Sequence, residues 1–275
     1  MLASSSFIRK SRSFWACVRW VGNELGYSRK KEIVVPTSQQ IRECIANTSD
    51  VDGSIEQLEM CEEVREYLLF RKEVLNGEVQ YLLQNAEEAE EMYKKIRSTV
   101  GNINCPLPMN KQKGDKKKPA FLTCSINLLM SNILGNNNID YDPSNLTLIT
   151  GKHFPEQVFS RRFDGAYPKT INPKCIWEIK EYYYTTTFGS RVADGVYETQ
   201  LDGYELKDFR NISESDIYHF LAIDSHYTWW VCGKSYLCRL IDMLHMDLVN
   251  EIIFGREVLS RIPQIASNLL NQEIK

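Results

Sequence analysis

The pattern of apolar and polar positions divides the chain into a helical first third and a mixed remainder. Residues 7–26 bring Phe14, Val18 and Val21 to one side of a helix that stops at Gly26. Pro36-Thr37-Ser38 opens a second helix, with Thr37 or Ser38 as its N-cap ahead of QQIRECIA. Asn47 to Gly53 is a polar break. From Ser54 to Gly101 the chain is rich in Glu, Leu, Lys and Ala and has no proline. Leu58, Cys61, Val64 and Leu68, then Val79 and Leu82, recur near helical spacing, which predicts two antiparallel helices joined at Gly77. The acidic run Glu87 to Glu91 reads as a solvated helix face.

Residues 102–119 are different material. Pro106, Pro108 and the run from Asn110 to Lys118, with five lysines in eight positions, read as a basic loop. Beyond it the period alternates. Residues 120–134 predict an apolar helix; 146–149, 163–166 and 175–180 predict strands; 191–209 predicts a helix. Residues 217–223 and the β-prone Tyr227 to Cys232 predict two further strands, and 237–254 and 257–270 predict helices. This order predicts an α/β protein, a three-layer α/β/α sandwich around a mixed central sheet, preceded by a helical N-terminal region. The implied division is 1–101, helical; 102–119, basic loop; 120–275, α/β core with C-terminal helices.

Composition narrows the functional classes. The chain is 43% hydrophobic and 25% charged with a formal charge of −3, so it carries no global attraction for nucleic acid or an anionic membrane, and any polyanion site must be local. No run of about 18 apolar residues suggests a membrane span, and a cytoplasmic location is expected. The acid-poor start, rich in Ser and Arg, loosely fits a transit peptide, but an amphipathic first helix accounts for it better. The eight cysteines are scattered without a CxxC pair, which predicts buried free thiols and excludes a zinc ribbon. His153, His219, His226 and His245 form no HExxH pattern. GxxxxGK[ST], GxGxxG and GxSxG are absent, so no nucleotide cofactor and no serine hydrolase chemistry is expected.

The stretch with the most chemistry is Arg161 to Leu206. Glu178 and Lys180 lie two apart in the apolar run Cys175 to Lys180, so in a strand they share one face with Ile176. Burying a carboxylate and an ammonium there is costly unless they bind something. With Asp164 on a neighbouring strand, two carboxylates would stand together, a donor set suited to a hard divalent cation, and the Ile179 carbonyl is a further candidate ligand. Such a site can activate water and stabilise charge on phosphoryl oxygens, with a lysine beside the attacking water.

Asp164 followed by Glu178-Ile179-Lys180 resembles the D…ExK signature of the PD-(D/E)xK nucleases, the restriction-endonuclease-like superfamily. Gln200 and Tyr204 resemble the QxxxY motif of its RecB-type and lambda-exonuclease-like members. The resemblance covers residues 120 to 235. It implies a restriction-endonuclease-like core, Mg2+ (or Mn2+ in its place) held by Asp164, Glu178 and Ile179, and Lys180 acting on the attacking water. Gln200 and Tyr204 would position DNA beside the site. The helix over 120–134 supplies no third acid, and Gly195 and Gly203 each weaken the 191–209 helix by about 1 kcal/mol.

The expectation is a Mg2+-dependent DNA endonuclease, with a restriction or anti-phage role and a homodimer for double-strand cleavage. Lys113, Lys116, Lys117, Lys118, Arg161 and Arg162 are candidates for the DNA backbone. A RecB-like exonuclease or repair nuclease is the alternative within the same chemistry. A non-catalytic nucleic-acid-binding or scaffold protein is the alternative from another class.

Overall fold

Helix α1 (Arg12–Leu25) begins where the Ser11 side chain accepts a hydrogen bond from the Phe14 amide. The computed structural model describes residues 1–47, 55–101, 103–105, 107–110, 114, 117–135, 138–185, 189–213 and 216–271. A two-stranded hairpin, β1 (Ser28–Arg29) and β2 (Glu32–Ile33), leads to α2 (Ser38–Ala46). Thr37 caps α2 in a capping box with Gln40, which satisfies two amides that the helix end would otherwise leave unpaired. Helix α3 (Ile55–Val74) runs through a π turn (Leu75–Val79) into α4 (Gln80–Leu82).

The helix therefore passes through Gly77 instead of turning back there. A lone glycine costs a helix only about 1 kcal/mol, and Leu75 and Val79 on either side are buried in the core. The break comes later, where Asn85 and Glu88 form the capping box of α5 (Ala86–Val100). Helix α5 packs through Met92 and Ile96 against α6 (Phe121–Leu134), so it belongs with the α/β core and not with the helices before it.

Strands β3 (Asp140–Tyr141), β6 (Gly165–Tyr167), β7 (Cys175–Glu181), β8 (Tyr218–Asp224) and β9 (Glu251–Phe254) form one sheet in the order β3-β6-β7-β8-β9. The pairs β3–β6 and β6–β7 are antiparallel, and β7–β8 and β8–β9 are parallel. The strand expected near 146–149 is real, as β4 (Leu148–Thr150), but it pairs with β5 (Pro155–Val158) in a separate hairpin. One face of the sheet is covered by α6 and α9 (Val258–Asn271), which pack on Trp177, Phe220 and Ile253. The other is covered by α7 (Ser190–Ile212) and α8 (Lys234–His245), which pack on Leu221, Ile223 and Phe254. The chain is thus a mixed α/β protein with a five-stranded mixed sheet and helices before it, as expected.

Two elements differ from expectation. Residues His226–Cys232, read as a strand from their β-prone side chains, form a π turn. Ser225 precedes it at φ 128°, which bends the backbone out of β8, and Trp229 then drops into the core. The run 237–254, read as one helix, is split: α8 ends at His245, Asp247 takes a left-handed φ of 60°, and Glu251–Phe254 leaves as β9. Aspartate tolerates that conformation, so no glycine or proline marks the break. Among the described residues no helix is long and apolar enough to cross a membrane. All eight cysteines are free, and only Cys17 and Cys232 are not buried.

Two buried polar contacts tie the first helices to the α/β core, one through α8 and one through β8. Arg71 on α3 donates to both carboxylate oxygens of Asp242 on α8, at 2.8 and 2.9 Å, and the Tyr67 hydroxyl donates to the same carboxylate at 2.7 Å. At the end of β8, Asp224 accepts from the amides of Gln84 and Ser225 and from the Tyr183 hydroxyl. Burial pushes the Asp224 carboxyl up to about 7, against the downward pull of those donors.

Removing one partner of a buried ion pair strands the other charge. Arg71→Met is therefore expected to lower the unfolding free energy by about 3 to 5 kcal/mol in urea titration at neutral pH; a loss under about 1 kcal/mol would contradict the role given to Asp242. Asp224 holds its proton in the folded state at pH values where the unfolded chain has released it. Its contribution is whole below its ordinary value of 3.8 and is lost as pH rises towards about 7. Asp224→Asn should therefore flatten the fall in melting temperature between pH 4 and pH 7, measured by circular dichroism against the parent chain.

Candidate active site

Strand β7 is central in the sheet and buried along its length save for Glu181. Its alternation sends Trp177, Ile179 and Glu181 towards α6, and Ile176, Glu178 and Lys180 towards α7. Glu181 serves the first side structurally. Helix α6 has no side-chain cap of its own, and Glu181 accepts from the Leu122 and Thr123 amides at 3.1 and 3.3 Å. On the α7 side, Glu178 stands opposite Leu221 and Lys180 opposite Ile223 of β8, so apolar strand neighbours give neither charge a partner.

Their partners come from one another, from α7 and from the loop before β6. Lys180 Nζ lies 2.8 Å from Glu178 Oε2 and donates to Glu198 Oε2 at 2.8 Å. Arg161 Nη1 lies 2.9 Å from Glu178 Oε1 and donates to Asp202 Oδ2 at 2.7 Å, while Nη2 donates to Glu198 Oε2 at 3.3 Å. Glu178 and Asp202 have no solvent exposure. Asp164 lies beside the cluster, and its Oδ2 accepts from the Ile179 amide at 2.8 Å. Among the described residues, Asp202 Oδ1 is buried without a hydrogen-bond partner.

The charge states follow from this packing. Burial pulls the Lys180 ammonium down, but Glu178 and Asp164 outweigh it and the net direction is up, so Lys180 is a fixed cation and not a base. Burial pushes the Asp202 carboxyl up to about 7, although Arg161 beside it pulls the other way.

The structure thus brings Asp164, Glu178, Ile179, Lys180 and Arg161 together and adds Glu198 and Asp202. Gln200 and Tyr204 are elsewhere. Each is two residues from Asp202, hence about 200° around the helix, on the side of α7 that faces α1. The Tyr204 hydroxyl accepts from Arg19 there. Arg162, Lys117 and Lys118 are exposed, and Lys113 and Lys116 fall outside the described residues. Glu198 and Asp202 were legible as an i, i+4 acid pair on the stripe of α7 that carries Gly195, Thr199 and Leu206. The two glycines of α7 mark close approach. A Cβ on Gly203 would lie 2.5 Å from the Leu248 carbonyl, and one on Gly195 would lie 3.0 Å from the Tyr182 hydroxyl, with the Lys180 side chain next to it.

Among the described residues no three acidic, histidine or cysteine side chains converge on a common metal position. The donor chemistry nevertheless fits a hard cation: Asp164, Glu178, Glu198 and Asp202 offer carboxylate oxygens, and Asp202 Oδ1 is buried and unpaired. The space between Glu178 and Asp202 is held by the Arg161 guanidinium, which enters from a loop and keeps 23% of its side-chain surface exposed.

A mixed sheet covered on both faces, with a buried ionic cluster between its central strand and one covering helix, defines the chain as a mixed α/β protein. The chain belongs to the family described as a domain of unknown function, DUF7687, whose model matches residues 84–269. A second family model, DUF7690, also described as a domain of unknown function, matches residues 1–78. No curated protein and no solved structure matches the chain.

Arg161→Ala leaves the buried carboxylates of Glu178 and Asp202 with less compensation, so it should cost about 3 kcal/mol in denaturant. Because the exposed oxygens are hard ligands, millimolar MgCl2 should recover part of that loss in the variant and leave the parent chain nearly unchanged. Equal responses of the two proteins to Mg2+ would remove these carboxylates as a cation site.

Proposed function

We propose that the chain is a metal-dependent nuclease that hydrolyses phosphodiester bonds of DNA, with the reaction centred on Glu178, Lys180 and Asp164. The observation that carries this reading is the Glu178–Lys180 pair, 2.8 Å apart and buried on the central strand, with acids from α7 and from the segment before β6 gathered around it. Such a group of charges is costly in an apolar sheet, and its make-up agrees with the resemblance of Asp164 and Glu178-Ile179-Lys180 to the PD-(D/E)xK nucleases, including their restriction-endonuclease-like core.

In this reading Asp164, Glu178 and the Ile179 carbonyl would hold a magnesium ion, with Asp202 as a further oxygen donor. When bound, the ion supplies a nucleophilic water and neutralises charge on the phosphoryl group. Lys180, held protonated, is placed to orient an attacking water and to stabilise the charge that develops on the phosphate. Arg161 leaves the carboxylates to reach the substrate phosphate, an anion it can grip with both ends of its guanidinium. Endonucleolytic cleavage is preferred over an exonuclease, since the exonuclease reading drew on Gln200 and Tyr204, which face α1. A restriction or anti-phage role, and a homodimer for cutting both strands, go with that preference.

A second reading, a nucleic-acid-binding protein without catalysis, is favoured by one observation: Arg161 already neutralises Glu178 and Asp202 from within. Supercoiled plasmid incubated with MgCl2 separates the two. Nicking or linearisation that EDTA stops, and that Glu178→Gln and Lys180→Ala each reduce by about 100-fold or more, supports the nuclease. Retained binding of DNA with no cleavage by the parent chain supports the second reading.

A further inference from the structure

On the side of α7 away from the ionic cluster, α1, α7 and α8 border an open cavity of about 180 Å3, lined by Arg19, Tyr27, Tyr197, Gln200, Arg239 and Asp242, among others. Its charge is unbalanced. Asp242 is committed to Arg71 and Tyr67. The guanidinium groups of Arg19 and Arg239 donate to tyrosine hydroxyls, those of Tyr204 and Tyr197, at 3.1 and 3.0 Å. Among the described residues neither arginine has a carboxylate within ion-pair distance, whereas Arg71, which stands over the same Tyr27 ring, does. Glu24, nearby on α1, is exposed and accepts from the Asn23 amide. Three arginines thus surround Tyr27 against one carboxylate. Arg71 and Arg239 stand over its ring at 5.0 and 5.1 Å, and Arg19 is close enough to act on its hydroxyl.

A guanidinium that lines a cavity and donates to a neutral hydroxyl has capacity for an anion, and two of them, one from α1 and one from α8, suit the oxygens of a phosphate. The walls are also suited to a planar group: Tyr197 is 54% exposed at the rim, and Gln200 offers an amide beside it. We propose that this cavity binds a phosphate ester, the group that a free nucleotide and a nucleic-acid backbone share, with Arg19 and Arg239 on the phosphate and Tyr197 and Gln200 on the attached nucleoside. The site uses no glycine-rich loop, so the usual nucleotide motifs are not its signature. It joins α1, within the segment matched by DUF7690, to α7 and α8, within DUF7687. It stands independently of the nuclease reading.

Isothermal titration with inorganic phosphate, adenosine monophosphate and a single-stranded 12-nucleotide DNA without terminal phosphates tests it. Saturable binding of adenosine monophosphate or of the oligonucleotide is expected, weakened by about tenfold or more in Arg19→Ala/Arg239→Ala and in Gln200→Glu. Gln200→Glu puts a like charge into the cavity while leaving both arginine–tyrosine hydrogen bonds, so it covers the case in which the double variant fails to fold. Binding of adenosine monophosphate alone identifies a free nucleotide as the ligand, and tighter binding of the oligonucleotide identifies the backbone. Absence of binding by all three probes, or binding that neither variant weakens, overturns the proposal. Glu178→Gln should bind as the parent chain does, which keeps this result separate from the cleavage assay.

Discussion

Glu178 has no contact with solvent, and its charge sets the terms for everything around it. A carboxylate on the central strand of a sheet covered on both faces survives only if cations come to it. Lys180 comes from the same strand face, Arg161 from the loop before β6, and each then needs an acid of its own because it too is desolvated. Glu198 and Asp202 supply those acids, and they are available because α7 lies across β7, with Gly195 against the Tyr182 and Lys180 side chains. One buried charge thus dictates the composition of one stripe of a helix 20 residues further along the chain. A cluster built this way has little slack, and it ends with three acids of β7 and α7 against two cations.

The helices of the first third depend on a second such contact. The Arg71–Asp242 pair, with Tyr67, is where α3 grips α8, and the same carboxylate forms part of the floor beneath the Arg19–Arg239 cavity. The two family segments meet along this line. Their boundary, between residues 78 and 84, falls at the end of α4, where the Gln84 amide is bound by Asp224 at the end of β8. The α5 helix beyond it packs with the sheet, so the family boundary and the packing agree, and both place the division earlier than the basic loop that composition alone suggests.

Much of this was readable from the chain because period and capping are local. The Thr37 cap, the apolar α6, the β7 alternation and the pairing of Glu178 with Lys180 all follow from residues close in sequence. What was not readable depended on contacts between distant segments. Residues 226–232 have the side chains of a strand, but the left-handed φ at Ser225 turns them inward as a π turn. Residues 251–254 continue an apolar run from α8, yet a positive φ at Asp247 frees them to become an edge strand. Glu198 and Asp202 could be seen as an acid pair, but only the position of α7 over β7 shows what they neutralise. Gln200 and Tyr204 have the spacing of a known motif, and the same rotation that brings Asp202 to the cluster carries them away from it.

Helix α7 therefore separates two regions of opposite sign. One side carries a carboxylate-rich cluster, and the other carries three guanidinium groups around Tyr27 with one carboxylate, Asp242, among them. The two are about one helix diameter apart, near 10 Å, across protein and not across water. That is comparable with the Debye length in about 0.1 M salt, but counter-ions cannot enter the helix to screen it. The field across α7 is then a property of the fold: any anion that settles among the arginines makes the far side more favourable for a cation, and any cation that settles among the carboxylates does the converse. The helix behaves like the dielectric of a small capacitor, and charge brought to either face is felt at the other without any movement of the backbone.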